Sequence, residues 1–452
     1  MSDIGSQGIA CRTEALPGRK ESMLRRGLLL GALAIILILL LFMMGRLADP
    51  SHRLSLWASW NQPLVIFGIC WASLELGLLA YKTVLWYGYR ANPPATSQSA
   101  PPLTVIIPAY NEGAMIKNSL VSVINANYPR DRLQIIVIDD GSTDDTWRYI
   151  SAVREQYRDA ITVLRFEENR GKKAALREAF KKASGEIAVS VDSDSIIEAD
   201  TLLAIVSPFA DPKVGAVSGK VLVHNLDAGL IPRMLHVAYI LSFDFVRTAQ
   251  SRYRNVYCCP GALSAYRISA IHSVLESWFE QRFLGASCIH GEDRALSNYI
   301  LGLGLDIVYQ SNAVVHTLVP VRYSGLCRMF LRWYRGFVRE EIRFIGYIIW
   351  KRPIKPRIAA LVDKTITDVH YCLRYFVTAI AVWTALFNPG IIPLFMIGLT
   401  LMSILPVLYY LRSDPSWRCL YASIYAYCAM IALWWILPYA ACTLRSRSWM
   451  TR

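Results

Sequence analysis

Apolar residues run along this chain in three rhythms, each proper to a different kind of element. Leu28 to Gly45 is almost unbroken apolar sequence behind Arg25 and Arg26, and Pro63 to Tyr87 is a second stretch broken only by Glu75 and Lys82. Together they predict two transmembrane helices within 24–90, after an N-terminal tail at 1–23. A cleaved signal peptide is the other reading of the first stretch. Its apolar run is long, however, no clean small-residue cleavage site follows, and another apolar stretch comes next, so a retained anchor is favoured. Near the other end, 370–388, 391–411 and 418–443 are apolar enough to span, with turns at Asn388-Pro-Gly390 and between Arg412 and Arg418. That gives two to four spans within 366–444 and a tail at 445–452. The count stays open. Five spans with a cytoplasmic N-terminus would leave Arg445, Arg447 and Arg452 outside, against the positive-inside tendency, and 370–388, short and carrying Arg374, is alternatively interfacial.

The second rhythm fills 100–320. Leu103–Pro108, Leu133–Ile138, Ile161–Phe166 and Glu186–Val191 are short, β-branched apolar runs, and helical stretches at 112–126, 143–157 and 172–184 lie between them. Strands alternating with helices predict an α/β domain with a mainly parallel sheet, whose ligands bind beyond the carboxyl ends of the strands. The third rhythm begins after Val321. Arg328, Arg332, Arg335, Arg339 and Arg343 follow one another at spacings of three or four and so share one helical face, with Phe330, Trp333, Tyr334, Phe337 and Ile345 as apolar surface. Amphipathic helices lying at the membrane surface over 321–357 follow from that pattern alone.

Charge changes the picture only through its location. The net charge is +14, but 103–320 holds 22 Lys and Arg against 24 Asp and Glu, whereas 322–357 holds ten basic residues against Glu340 and Glu341. The excess is juxtamembrane and suits anionic headgroups or an anionic substrate rather than nucleic acid. Ten cysteines without a Cys-x-x-Cys pair argue against a disulfide framework and a zinc site, and fit a reducing cytoplasmic face.

The chemistry sits at the predicted strand ends. Pro108-Ala-Tyr-Asn-Glu112 follows the first strand and Asp139-Asp-Gly-Ser142 the second, the latter also reading as a turn and helix cap. Asn169-Arg-Gly-Lys-Lys173 follows the third, and Asp192-Ser-Asp194 the fourth. Four polar strand ends in a row predict a nucleotide crevice. Paired carboxylates at a strand end suit Mg²⁺ or Mn²⁺ gripping a diphosphate. A second acidic step, Glu292-Asp-Arg294, can supply a base, although the same carboxylates also suit the start of a helix near Arg294.

These residues carry a resemblance. Val105-Ile-Ile-Pro-Ala-Tyr-Asn-Glu112, Val137-Ile-Asp-Asp-Gly-Ser142 and Val191-Asp-Ser-Asp194 resemble the nucleotide-sugar domain of glycosyltransferase family 2, which implies the GT-A fold with a mixed, mainly parallel sheet, inserted between transmembrane helices. Cys259-Pro-Gly-Ala-Leu-Ser-Ala-Tyr-Arg267, the segment Phe283–Asn298 and Arg332-Trp333 resemble its processive membrane branch, most of all hyaluronan synthases and the chitin-oligosaccharide synthases of nodulation. The resemblance implies an inverting hexosyltransferase at the cell membrane, multi-pass, with a cytoplasmic catalytic domain, a UDP-sugar donor and a growing polysaccharide acceptor. It places Tyr110, Glu112, Asp140, Lys172, Asp192 and Arg332 on the nucleotide sugar and Asp194 on the metal. Asp293 becomes the base with Glu292 and Arg294 positioning it, and Trp333 and Gly261 meet the acceptor. One departure stands out: the family's Gln-x-x-Arg-Trp has Met329 in place of the glutamine. A non-processive lipid-linked transferase and a silent export scaffold are the alternatives. The intact Asp192, Asp194 and Asp293 set argues against silence.

Overall fold

The computed structural model describes residues 62–158, 160–351 and 354–446, so the first expected span, Leu28 to Gly45, lies outside them. Helix α1 (Gln62–Tyr87) matches the second apolar stretch. Strands β1 (Leu103–Ala109), β2 (Leu133–Asp139), β3 (Ile161–Arg165) and β4 (Ile187–Val191) occupy the four β-branched runs. Between them lie α2 (Met115–Ile124), α3 (Thr146–Gln156) and α4 (Lys172–Lys182). Every residue of β1 and β4 is buried, as expected of strands covered on both faces.

The sheet is larger than those four runs, and mixed but mainly parallel as the GT-A resemblance implies. Beyond β4 come β5 (Ser195–Ile197), α5 (Thr201–Val206) and β6 (Val214–Val223). Helices α6 (Leu230–Ile240) and α7 (Thr248–Arg252) flank a π-helical turn at Leu241–Arg247. Strand β7 (Leu263–Arg267), α8 (Ile268–Phe279), the short β8 (Arg282–Phe283) and β9 (Ala286–Ser287), α9 (Glu292–Gly302) and β10 (Asp306–Thr317) complete the domain. Eight strands form one sheet in the order β3-β2-β1-β4-β7-β6-β10-β5. The β1–β2, β2–β3, β1–β4 and β6–β10 pairs are parallel, while β7 and β5 run antiparallel to their neighbours. This is a GT-A-like sheet. Two of its registers build the site: Val191 opposite Leu263 sets the β4 exit beside Gly261, and Ser195 opposite Thr317 sets Thr317 beside Asp194.

The basic segment folds as one helix, α10 (Tyr323–Lys351), and it is turned over relative to the expectation. Arg335 and Arg339 are each 4% exposed and Glu340 is buried, whereas Ile342, Ile345, Ile349 and Trp350 face outward. Only Arg328 stands exposed among the arginines expected at the headgroups. The middle of the charged stripe, Arg335 and Arg339, therefore packs on protein. The physical reason is partners inside: Arg339 donates to the His290 carbonyl and to Glu340, and Arg335 donates to the Thr443 hydroxyl while its Nη1 stays buried without a partner among the described residues.

Helix α11 (Ile354–Phe387) absorbs the short 370–388 stretch into 34 residues, and α12 (Ile392–Ser413) follows. The expected span 418–443 is not one helix. It breaks into α13 (Leu420–Ile431) and α14 (Ile436–Cys442), the broken pair being bent by 45°. Among the described residues Ile358–Phe387 is long and apolar enough to cross a membrane, and the broken pair passes only when taken together. Two ion-pair chains tie this layer to the catalytic domain. Lys82 of α1 pairs with Asp363 of α11, which also accepts hydrogen bonds from Tyr253 and Tyr257; Lys364 pairs with Glu341 of α10.

Candidate active site

The β1 and β2 ends interlock before they offer anything to a ligand. Asn111 adopts φ 53°, and its side-chain oxygen accepts the Thr143 amide at 2.9 Å, while the Thr146 hydroxyl receives the amides of Glu112 and Gly113. Asp139 folds the turn by accepting the Ser142 amide at 3.0 Å. Asp140 is 2% exposed, and its two oxygens accept the Arg170 and Gly171 amides at 2.8 and 2.9 Å. Burial pushes its carboxyl above the ordinary range and those amides pull it back. Asp140 thus fixes the loop that delivers Lys172. Tyr110 and Glu112 border this crevice, both partly exposed.

The centre is a cluster of three elements. Lys172, first residue of α4, sits 2.5 Å from Asp192 and 3.4 Å from Glu292. Gly261 makes the approach possible, because a Cβ there would lie 2.5 Å from the Lys172 ammonium and 3.2 Å from Asp192. Gly261, expected to meet the acceptor, therefore lies against the Lys172–Asp192 pair. Burial lowers a lysine's pKa, yet Asp192, Glu292 and Asp293 together hold Lys172 above its usual value.

Asp293 stands in the first turn of α9 with one oxygen on the Arg294 amide at 2.7 Å and the other 3.7 Å from the Cys258 thiol, which donates to it. Burial and the neighbouring Glu292 raise its carboxyl to about 6, against the opposing pull of Lys172. The helix cap expected from Glu292 and Asp293 is instead Gly291, at φ +70°; both carboxylates lie inside the first turn, where the helix dipole favours negative charge. Trp278 donates to the Glu292 carbonyl, and Arg294 is drawn away from Asp293 onto Glu341 at 2.5 Å and over the Phe337 ring. Gly291 touches Gly336 of α10 so closely that a Cβ on either would fall 2.8 Å from the other's Cα.

Asp194 is 6% exposed, and one of its oxygens accepts the Ser195 and Thr317 hydroxyls, each at 3.1 Å. A hard oxygen donor oriented by hydroxyls suits a divalent cation. No group of three or more His, Cys, Asp or Glu side chains able to hold a metal occurs among the described residues, so such an ion would draw further ligands from substrate oxygens and water. Arg332 lies where its charge is felt by Tyr239 and His290. Trp333 is 41% exposed, 6.3 Å ring to ring from Tyr239 and 5.5 Å from Phe330. Met329 is buried beside these rings, with Phe330 in its own cluster and Tyr239 packed against it. It packs in an apolar cluster with Leu326, Leu433, Ile436 and Ala440.

Sequence reading missed Cys258, Thr317 and Glu341. Only Cys258 had a local signal, as neighbour of the Cys259-Pro-Gly261 motif. The other two come from β10 and α10, distant in sequence.

A GT-A-like sheet whose carboxylates gather at the β4 exit, facing a helix that begins with two more, defines a nucleotide-sugar transferase. Residues 104–275 match glycosyl transferase family 2. An N-acetylglucosaminyltransferase of Azorhizobium caulinodans is 30% identical over 361 residues, 78% of this chain and 87% of that protein. A hyaluronan synthase of Streptococcus pyogenes serotype M3 is 30% identical over 396 residues, 85% of this chain and 89% of the relative. The chain belongs to glycosyl transferase family 2 and is a glycosyltransferase. The solved mannosyltransferase PcManGT from Pyrobaculum calidifontis, in complex with GDP-Man and Mn²⁺, overlaps 80% of this chain and 98% of its own at 21% identity, with a TM-score of 0.49.

Proposed function

We propose that this glycosyltransferase is a processive, inverting synthase that extends a β-linked polysaccharide from UDP-sugars and passes the product through its own membrane helices. UDP-N-acetylglucosamine is the favoured donor, with UDP-glucuronate as a second. The observation that carries the reading is the half-buried Asp293, its carboxyl raised to about 6, in a cluster with Lys172, Asp192 and Glu292. A base of that strength is ionised at neutral pH and still a better proton acceptor than an ordinary aspartate. The names of the two relatives support the donor and the polymer.

In this reading Tyr110, Glu112 and the lone pairs left on Asp140 hold the uridine, and Asp192 faces the ribose and donor sugar. Asp194 would hold Mg²⁺ or Mn²⁺, which supplies charge neutralisation of the diphosphate when bound. Lys172 keeps Asp192 in place across the site. Asp293 takes the acceptor hydroxyl proton as the hydroxyl oxygen attacks the anomeric carbon opposite UDP, and general-base assistance of this kind is worth about 10²–10⁴-fold. Arg332 steadies the departing diphosphate and Trp333 offers a ring face to the acceptor.

The belt of outward apolar residues on α1, α11 and α13, among them Val84, Phe376, Trp383, Leu386 and Ile424, supports a bilayer as the covering phase, and the basic excess over 322–357 supports the cytoplasmic side for the catalytic domain. Incubating the purified protein with single UDP-sugars and then with pairs, while measuring UDP release and product mass, tests the whole reading. Polymer from one sugar or one pair is expected. UDP release yielding only a single transferred residue would replace it with the non-processive lipid-linked reading.

A further inference from the structure

Behind Asp293, between the sheet and α4, lies a small cavity that the mechanism above leaves unused. Leu176 and Phe180 form its apolar wall, and Lys172, Glu292, Asp293, Gly261 and Tyr266 line it together with Ser190 and Ser264. It is about large enough for one water molecule. Register explains the serines. Ser190 of β4 lies opposite Ser264 of β7, and Ser264 lies opposite Ser218 of β6, so three hydroxyls form a row across the sheet. Ser218 donates to the Gly219 carbonyl. Ser190 and Ser264 are 3% and 1% exposed; the Ser190 hydroxyl reaches no partner among the described residues, and the Ser264 hydroxyl lies only against the Tyr266 hydroxyl. A buried hydroxyl left as Ser190's is, in a cavity, is costly unless something binds it.

We infer that Ser190 and Ser264 hold a water molecule against the Asp293 carboxylate, making them positioning residues for the base. A water needs two to four polar partners, and the cavity offers that many. Lys172 has three N–H donors, two of them directed at Asp192 and Glu292, which leaves one for the water. The water then accepts from Lys172 and one serine and donates to Asp293 and the other serine. Its bond to Asp293 favours the ionised base.

This inference rests on Asp293 being the base. The groups that face its carboxylate are Lys172 on α4, Asp192 at the β4 exit, Glu292 and Arg294 on α9, Arg247 on the π-helical turn, the Cys258 and Cys259 thiols, and Tyr266 on β7. Of these only Tyr266 loses a contact when the Ser264 hydroxyl is removed, so Ser190→Ala leaves all of them in place.

The test compares Ser190→Ala, Ser264→Ala and the double variant with the parent for UDP release between pH 5 and 9, and for unfolding temperature. Losing the water should move the acid limb up by about one pH unit, a loss of about tenfold on the acid side that shrinks towards alkaline pH. It should also lower the unfolding temperature. Ser264→Val, which fills the space with methyl groups, should move the limb likewise and serves if the alanine variants fold poorly. An unmoved acid limb overturns the inference, and an unfolding temperature equal to or above the parent's would accompany it, because a dry cavity gains from losing an unsatisfied hydroxyl. Asp293→Asn separates the two layers. Turnover surviving in that variant sinks the base assignment itself, whereas a dead Asp293→Asn with an unmoved limb in the serine variants sinks only the water site.

Discussion

Single residues set the chemistry, and their predictions follow from what each one touches. Asp293→Asn should keep UDP affinity near the parent's while polymer synthesis collapses, because only the transition state needs a proton accepted. Parallel loss of UDP binding, measured by calorimetry, would make Asp293 a donor-binding residue instead. The parent's kcat/KM should fall as pH drops through about 6, since the required form is the ionised carboxylate and its pKa is raised from an ordinary 3.8. A limb near pH 4 would show that burial and Glu292 leave the base unshifted. Asp194→Asn, which removes charge without removing volume, should abolish UDP release, and excess EDTA should do the same to the parent; full turnover in EDTA would dismiss the cation.

At the scale of elements, α10 is the one whose orientation reverses expectation. Arg328→Ala should change stability by no more than about 0.5 kcal/mol, as for most exposed substitutions. Arg339→Ala should cost about 3–5 kcal/mol, because it leaves Glu340 buried without this guanidinium. Equal, small effects in denaturant titration would restore the membrane-facing arrangement. Met329→Gln, attractive as a return to the family's pattern, should instead destabilise by about 1–3 kcal/mol, since an amide would enter the cluster of Leu326, Leu433 and Ile436. Longer product from that variant would mean the side chain reaches the acceptor after all. Gly336→Ala carries the same logic to the catalytic loop. The new methyl meets Gly291, so activity should fall more than donor binding does.

For the whole molecule, the ion pairs from Lys82 to Asp363 and from Lys364 through Glu341 to Arg294 join the outer helices to the residue next to Asp293. Asp363→Ala should therefore lower both unfolding temperature and turnover although it lies outside the crevice. An unchanged rate with lowered stability would limit this chain to a structural tie. Reconstitution in vesicles, with donor outside and product assayed inside, checks translocation; product found only outside would remove that part of the reading.

Local pattern determined a good deal by itself. The β-branched runs became β1 to β4, because strands buried on both faces must be continuously apolar, and the polar residues after them became the crevice because a strand end exposes whatever follows. The resemblance named Asp192, Asp194 and Asp293 for the same reason: their motifs are short and contiguous. Tertiary structure decided what depends on pairing across long separations. The register of β7 brought Gly261 to Lys172, the register of β10 brought Thr317 to Asp194, and the row Ser190, Ser264 and Ser218 exists only once three strands lie side by side. The arginine stripe shows why sequence could not settle α10. Helical spacing tells which residues share a face, but only partners such as Glu340, Thr443 and the His290 carbonyl decide whether that face turns to water, lipid or protein.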